Sequence, residues 1–542
     1  MKKIFLISTV LFFALSSAAQ NLNPTVDVTN DFNTSFTGIA KENLDMNIPD
    51  SLLQFNRNFD YFTFDNPYRG SYEFVPYSVE LRPEPGDYDV RQLWLVAGAG
   101  YALRPVLNAV YTPKMKQGSP FKVNVFQNGS AYIGDYVRSP KGFRVSEKIG
   151  ADCLASFKKV NLGAEILYQG GFNSFGNIAV YERNEAQDYR VDMHSGAARF
   201  VLNSVNSKYV DYSVVAKYRY ALFPGRRAEH FVDAKGTVAP KMGERFSLPI
   251  DIFVQTNGNL NTGVTPHLGY TSGPFSVNVG AQFAYFNYSS SQTSFDRHNF
   301  SVRPDIDMNL DIARGVVSFY LAAKGGKQIH SAADMYLYNP YFVGVTDAYT
   351  DETLNAYAGF RGRITHSFQY DVKVGYDFIA ATPLIHHRYM GSTNAAGNGF
   401  SYLYAAHSKF NLFYVNAKFL YKSECFDLDA NFNFNRTFFP ESSGEKVAFA
   451  YDLPMITGDI RARYNYNRRI YAGIFAGGAT SRDCGLIKIK GYVNLGVSFE
   501  YRFGRHFGVW IQGHNLLNQE INIIPGYAEK GIGATAGITL NL

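Results

Sequence analysis

Four acidic or amide side chains at alternate positions form a pattern that could bind a cation. They are Asp305, Asp307, Asn309 and Asp311. A calcium-binding loop with this start would need glycine at its sixth position and glutamate at its twelfth, where this chain has Leu310 and Val316. Because apolar residues alternate with the acids, a β-strand with one acidic face is the favoured interpretation. Such a face could still attract cations.

Two His–Ser pairs suggest the nucleophile and base of a hydrolase. They are His194–Ser195 and His407–Ser408. Adjacent side chains of a strand point to opposite faces, so neither pair can form a catalytic site by itself. The chain also contains no Gly-x-Ser-x-Gly nucleophile elbow. The sequence therefore predicts no enzymatic activity.

Histidine and cysteine give only weak metal-binding patterns. His386 and His387 are adjacent, but neither a cysteine nor an acidic residue lies close to them in the sequence. Cys153, Cys425 and Cys484 are too few and too scattered for a zinc site or a disulfide scaffold. We expect no metal and no cofactor, and a pairing of Cys425 with Cys484 stays open.

The composition excludes several classes of protein. Of the 542 residues, 46% are hydrophobic and only 18% are charged, against roughly 25% charged residues in soluble domains. The formal net charge is +6 and includes Lys2 and Lys3, so 6 − 2 leaves +4, too little to indicate nucleic-acid binding. No window supplies the run of about 18 apolar residues that a membrane-spanning helix requires.

Extended segments with alternating apolar and polar residues recur from residue 91 to the C-terminus. One apolar row is Phe368, Tyr370, Val372, Val374, Tyr376 and Phe378. In hydrocarbon every backbone amide must be paired, so strands can cross a membrane only as a closed barrel. Apolar rows that end in Tyr or Phe are typical of the aromatic girdles of such barrels. The sequence predicts an all-β fold, a transmembrane antiparallel β-barrel of about 22 strands within a range of roughly 18 to 22; a soluble β-sandwich or propeller is the alternative.

The N-terminal residues differ from the rest of the chain. A basic start, an apolar stretch and small residues predict a signal peptide over residues 1–19 and export to the outer membrane of a Gram-negative cell. Residues 20–90 are rich in aromatics and proline, which predicts an ordered arm in the periplasm or in the barrel lumen. The barrel is predicted over residues 91–542.

The connections between strands predict which end of the barrel faces outward. Short connections such as Gly273–Pro274 predict periplasmic turns. Longer polar segments predict extracellular loops near residues 170–188, 289–298, 330–353, 381–409 and 439–452.

Charged residues at the positions between the apolar rows are predicted to face the lumen. Charges of both signs are present, so they could tune the selectivity for a solute, pair with each other or anchor a lumen filler. These alternatives stay open. The residues are Arg361, Arg363, Asp371, Lys373, Asp427, Asp429, Arg461, Arg463, Lys488, Lys490, Glu500 and Arg502.

The C-terminal residues resemble the closing hairpin of TonB-dependent receptors. Residues 509–518 run Val-Trp-Ile-Gln-Gly-His-Asn-Leu-Leu-Asn, and an alternating, glycine-rich strand ends at Leu542. The Tyr-, Asn- and Phe-rich strands are similar to outer-membrane proteins of Bacteroidota. The resemblance implies a 22-strand barrel and a large plug domain, but only residues 20–90 precede the barrel. We therefore expect no full plug, and the arm, infolded loops or a partner protein would fill the lumen.

The favoured functional hypothesis is an outer-membrane barrel of the TonB-dependent receptor type. It would serve solute passage or uptake, or act as a membrane subunit of a larger outer-membrane complex. The alternative is a non-energised porin or a FadL-like channel. The expected partners are outer-membrane lipid, an unidentified solute and an outer-membrane or periplasmic protein that fills or caps the lumen, but no nucleic acid.

Overall fold

The computed structural model describes residues 92–542 with several gaps. The gaps are residues 102–103, 117–118, 137–138, 176–188, 206, 224–227, 244, 291–292, 340–347, 391–399, 440–452, 484–487, 525–526 and 529–530. The predicted signal peptide and the predicted arm lie outside the described residues.

No helix among the described residues is both long enough and apolar enough to cross a membrane.

The described strands form one large antiparallel sheet that closes on itself, because the first strand pairs with the last. The sheet has 23 segments, of which β9 and β10 together fill one place between β8 and β11, so 23 − 1 gives 22 barrel strands. Two separate two-stranded sheets, β21–β22 and β25–β26, lie in connections. The strands are β1 (Leu93–Gly100), β2 (Val106–Tyr111), β3 (Phe121–Tyr136), β4 (Ser139–Ser156), β5 (Val160–Phe175), β6 (Tyr189–Ser204), β7 (Val210–Leu222), β8 (Glu229–Met242), β9 (Phe246–Ser247), β10 (Ile250–Thr256), β11 (Leu260–Ser272), β12 (Phe275–Ser290), β13 (Thr293–Ala313), β14 (Val317–His330), β15 (Ala348–Arg363), β16 (Phe368–Met390), β17 (Phe400–Lys422), β18 (Phe426–Phe438), β19 (Ile456–Tyr466), β20 (Ile470–Ala479), β21 (Arg482–Asp483), β22 (Lys488–Ile489), β23 (Tyr492–Arg502), β24 (Phe507–His514), β25 (Asn522–Ile524), β26 (Tyr527–Ala528) and β27 (Gly533–Asn541). One short helix, α1 (Ala332–Tyr338), follows β14.

The prediction of a transmembrane antiparallel barrel with about 22 strands is confirmed. Two predicted extracellular loops, near residues 289–298 and 381–409, are wrong in extent. The strands β12 and β13 continue until only residues 291–292 separate them, and β16 and β17 pair as far as Met390 and Phe400. Where a strand extends beyond the lipid, its backbone pairing continues, but its outward residues no longer need to be apolar. A prediction based on alternating apolar and polar residues therefore makes such strands too short.

The outward face of the barrel is apolar and accessible. Along β23, Val493, Val497 and Phe499 are 48%, 44% and 45% exposed, an arrangement that water would disfavour and lipid would stabilise. The intervening residues are polar, as in Asn494 and Ser498. A closed barrel with a lipid-facing apolar band is the architecture of a multi-pass outer-membrane protein.

The two ends of the barrel differ in the length of their connections. At one end, here called the short-turn end, the connections include residues 273–274, 314–316, 364–367 and 467–469. At the other, the long-loop end, they include residues 331–347 with α1 and residues 439–455. In outer-membrane barrels short turns face the periplasm and long loops face the exterior.

The seam that closes the barrel depends on two facing glycines. Gly98 of β1 and Gly537 of β27 are register partners, and Trp510 of β24 is the next partner of Gly537. A Cβ atom on Gly537 would lie 2.1 Å from the carbonyl oxygen of Ala97 and 2.6 Å from the Trp510 ring. Glycine at both positions therefore lets the indole cover the seam while the backbones pair closely.

Candidate functional site in the barrel lumen

The part of β14 nearest the long-loop end leaves the barrel wall and turns into the lumen. The ladder between β13 and β14 ends at the pair Asp305 and Lys324, whereas β14 goes on pairing with β15 up to His330 and Ala348. The break coincides with Gly325, where a Cβ atom would lie 2.5 Å from the carbonyl oxygen of Thr353. We call residues 325–339 and 348–350 the inward segment; residues 340–347 lie outside the described residues.

An apolar cluster inside the barrel supports the inward segment. Ile329 and Tyr349 of the segment are 1% and 5% exposed and pack against wall residues Phe231, Phe286 and Tyr288. The ring centroids of Tyr349 and Tyr288 are 4.7 Å apart. Burial of these large side chains provides the main free-energy gain for placing a hairpin in an otherwise polar lumen.

Buried charges fix the register of the inward segment on the wall. Arg303 of β13 donates to the Asp351 carboxylate of β15 at 2.8 Å, and the Lys327 ammonium lies 3.6 Å from the same carboxylate. Lys327 also lies 4.8 Å above the ring of Phe286. Two backbone groups of the segment bond to wall amides: the Lys327 carbonyl accepts from Asn261 at 2.7 Å, and the Ile329 N–H donates to the Gln255 side-chain oxygen at 3.2 Å.

Helix α1 crosses to the opposite part of the wall. Seven places in the strand order separate β14 from β5. They are taken by β13, β12, β11, the interrupted β9–β10, β8, β7 and β6. Yet Tyr336 of α1 accepts a hydrogen bond from Asn173 of β5, and Arg219 of β7 pairs with Asp334. The Glu229 carboxylate of β8 accepts from the backbone N–H of Ala332 at 2.9 Å. The loop after β14 therefore spans the lumen and narrows it.

The first turn of α1 is built around Asp334. Ser331 and Asp334 form a capping box, and the Arg219 guanidinium bonds to both the Ser331 hydroxyl, at 3.1 Å, and the Asp334 carboxylate. Burial alone would raise the pKa of Asp334, but Arg219 and the hydrogen bonds from Ser331 outweigh it and hold this pKa below the ordinary value of 3.8.

Acidification should weaken the docking of α1. A carboxyl group whose pKa is lowered by folding stabilises the folded state fully above its unfolded pKa, and this stabilisation is lost as the pH falls through the folded pKa. The protection of residues 331–339 against hydrogen exchange, corrected for the intrinsic pH dependence of amide exchange, should therefore be high at neutral pH and fall below the ordinary pKa of 3.8. The variant Asp334→Asn should exchange faster at neutral pH and lose this dependence; an unchanged pH profile in the variant would contradict the assignment.

A polar cavity of about 580 Å³ lies on the inner face near the short-turn end. Strands β12 to β18 contribute its lining, including three basic residues, Arg361, Lys373 and Lys418. We call it the basic cavity. Arg361 and Lys418 are both register partners of Asp371, and Lys373 follows Asp371 by two residues, so the three basic side chains lie on one face of the sheet.

Aromatic rings accompany the charges of the basic cavity. The Tyr320 hydroxyl donates to the Asp371 carboxylate, and the Arg361 guanidinium lies 5.2 Å above the Tyr320 ring. The Lys373 ammonium lies 5.0 Å and 5.4 Å from the ring centroids of Tyr357 and Tyr414. Arg361 and Lys373 thus face the negative surfaces of tyrosine rings.

The predicted lumen-facing charges divide into two groups in the structure. Arg361, Asp371 and Lys373 meet in the basic cavity. On β18, β19 and β23 the charges pair instead. Asp427 and Arg463 are 2.8 Å apart, as are Glu500 and Arg502, while Arg461 lies 3.7 Å from Asp459.

Two of the remaining predicted charges, Asp429 and Arg363, make no ion pair among the described residues. The other two, Lys488 and Lys490, lie outside the barrel wall. Asp429 accepts a hydrogen bond from Asn431 at 3.1 Å, and Arg363 is exposed at the short-turn end. The prediction that Lys488 and Lys490 face the lumen from a barrel strand is wrong, because the barrel strand β23 begins only at Tyr492; Lys488 belongs to β22, and Lys490 precedes β23. The side chain of Lys488 lies outside the described residues. A role of all these charges toward a solute stays a prediction.

The acidic row of β13 and the His194–Ser195 pair make structural contacts in the barrel. Asp305 and Asp307 lie in β13 as predicted, and Lys324 neutralises both, at 3.4 Å and 2.6 Å. His194 bonds to the Tyr168 hydroxyl at 2.9 Å, whereas Ser195 donates to a backbone carbonyl.

The metal and cysteine patterns are only partly described. No three His, Cys, Asp or Glu side chains in the described part of the chain cluster closely enough to hold a metal ion. Cys153 and Cys425 are free thiols, while Cys484 and the side chains of His386 and His387 lie outside the described residues.

Sequence reasoning missed the inward segment and its anchors. A signal for it exists at Phe286 and Tyr288, which stand at lumenal positions of β12 and are nevertheless aromatic. A strand that is apolar on both faces is covered on both faces. The ion pair between Arg219 and Asp334 gives no such signal, because these residues are far apart in the sequence.

Known proteins resemble this chain in structure but not in sequence. No model of a protein family matches the chain, and no curated protein matches it. The siderophore receptor PirA from Acinetobacter baumannii is similar in structure with a TM-score of 0.58 and 9% identity, over 83% of this chain and 80% of that one. The FrpB iron transporter from Neisseria meningitidis (F5-1 variant) has a TM-score of 0.60 and 10% identity over 83% and 82%. The copper transporter OprC has a TM-score of 0.57 and 11% identity over 83% and 82%.

Identity at this level shows the fold alone. The structure has the 22-strand barrel of the TonB-dependent receptors, and the solved structures similar to it are receptors and transporters.

Proposed function

We propose that this barrel takes up a solute through its lumen and that the inward segment controls the passage. The observation that carries the proposal is the crossing of the lumen by α1, whose contacts reach β5, β7 and β8. A wall built for free diffusion needs no such crossing segment. The names of the similar solved structures, which include a siderophore receptor and two metal transporters, favour receptor-type uptake over an open porin.

A loop deletion tests the proposal in reconstituted liposomes. His330 and Ala348 are register partners, so a two-residue turn between them can replace residues 331–347 and remove α1. The matched control replaces residues 391–399 by the same turn, since Met390 and Phe400 are also partners. We expect efflux of a small neutral sugar to be slow for the wild type and the control, and several-fold faster for the variant without α1.

Two results would overturn the proposal. Equal, rapid efflux through all three proteins would indicate an open, non-energised channel that the inward segment does not narrow. Complete impermeability of the variant without α1, with a folded barrel confirmed by circular dichroism, would show that the inward segment does not control the passage.

A further inference from the structure

We propose that the basic cavity binds a small organic anion with two or more carboxylate or phosphate groups. This inference rests on the proposed function, because it assigns a chemical class to the solute in the same lumen. It depends on three basic side chains, on the carboxylates near them and on the volume they enclose.

The register of three strands brings the basic residues together. Arg361 of β15 is the partner of Asp371 of β16, and Asp371 is the partner of Lys418 of β17, so the three lie in one row across the sheet. Lys373 follows two residues along β16 on the same face. With strands about 4.8 Å apart and same-face neighbours about 7 Å apart, one solute can contact all three cations.

The carboxylates of the cavity are already engaged. Asp371 accepts the Tyr320 hydroxyl, and Asp307 lies 2.6 Å from the Lys324 ammonium. Among the described residues, no carboxylate oxygen lies within the 4.0 Å of an ion pair from Arg361, Lys373 or Lys418. The lining carries three basic side chains and two carboxylates, so 3 − 2 leaves a net charge of +1 that an anionic solute would neutralise.

The rest of the lining suits an organic rather than a bare inorganic anion. The rings of Tyr357 and Tyr414 flank Lys373 and offer apolar faces to a carbon skeleton. Asn416 and Asn433, bonded to each other at 2.7 Å, add amide donors and acceptors. The volume of about 580 Å³ falls within the range of roughly 300–1,000 Å³ typical of small-molecule sites.

Titration calorimetry on the purified full chain in detergent tests the assignment. Citrate probes carboxylate recognition, fructose 1,6-bisphosphate probes recognition of an organic phosphate, and sucrose serves as a neutral control. We expect at least one anion to bind at low salt and sucrose not to bind. Lys373→Gln should weaken the anion about tenfold, and the double variant Arg361→Gln/Lys418→Gln should weaken it further. Arg463→Gln, which removes a lumenal cation already paired with Asp427, should leave the affinity unchanged.

The outcomes separate this inference from the proposed function, because binding in detergent requires no transport. A folded wild-type barrel that binds neither anion overturns the anion site even if liposome efflux behaves as expected. Equal weakening by Arg463→Gln and Lys373→Gln also overturns it, since the lumen would then attract anions only through its overall charge. Salt-sensitive binding that is lost specifically in the cavity variants supports it, and the better of the two probes identifies the acidic group.

Discussion

Replacing Arg219 with methionine should detach α1 from the opposite wall and weaken its docking by about 3 kcal/mol. The side chain of Arg219 is 10% exposed and pairs with Asp334, which is 35% exposed. Removing the guanidinium leaves the partly buried Asp334 carboxylate without its cation and removes the bond from Arg219 to the Ser331 hydroxyl, while the capping bonds between Ser331 and Asp334 remain. The exposure of Asp334 places the effect at the lower end of the range for a broken buried pair.

Hydrogen exchange of α1 and sugar efflux from liposomes measure the effect of Arg219→Met. Exchange of residues 331–339 should accelerate by about two orders of magnitude, and efflux should approach that of the variant without α1. Arg199→Met is the matched control on the neighbouring strand, because its contact with Glu165 is long, at 3.9 Å, and half exposed. If both variants behave like the wild type, Arg219 does not hold α1.

Replacing Gly537 with valine should prevent closure of the barrel. Its Cβ would lie 2.1 Å from the Ala97 carbonyl oxygen and 2.6 Å from the Cα of Gly98. Both are backbone atoms, so rotation of a side chain cannot relieve the overlap, and the two strands must separate. The expected destabilisation is at least about 3 kcal/mol, the upper end for overpacked sites.

The yield of folded barrel measures the effect of Gly537→Val. Closed barrels usually migrate faster than unfolded chains on gels without heating, so the compact band should be largely lost. Gly533→Val is the matched control on the same strand and face, because a Cβ there meets no atom within 4 Å. Normal assembly of Gly537→Val would show that the seam has more freedom than the structure indicates.

The sequence allowed the wall of the barrel to be predicted because the membrane acts on every strand in the same way. Lipid requires an apolar residue at every second position, and this local constraint is visible in rows such as Phe368 to Phe378. Even the closing strand, with Gly533 and Gly537 on its inner face, followed from alternation. The charges Asp427 and Arg463 were likewise placed on one face before their pairing was known.

The lumen could not be predicted in the same way because its contacts join residues that are distant in sequence. Nothing near Arg219 indicates that it pairs with Asp334, and nothing near Asn261 indicates a bond to the Lys327 carbonyl. Alternation assigns a side chain to the inner face but does not say what it meets there. Arg361 and Lys373 of the basic cavity were therefore not distinguished from charges that pair with each other, and Lys418 was not among the predicted lumenal charges.

The end of the ladder between β13 and β14 also sets the height of the membrane. Hydrocarbon does not tolerate an open strand edge, and continuous pairing here extends from Ala313 and Val317 only as far as Asp305 and Lys324. The nine residues of β13 from 305 to 313 match the roughly 9–11 that a tilted strand needs to cross. The acyl chains should therefore stop near Asp305, where the outward Val302 and Phe300, 55% and 65% exposed, lie just beyond the hydrocarbon at the interface.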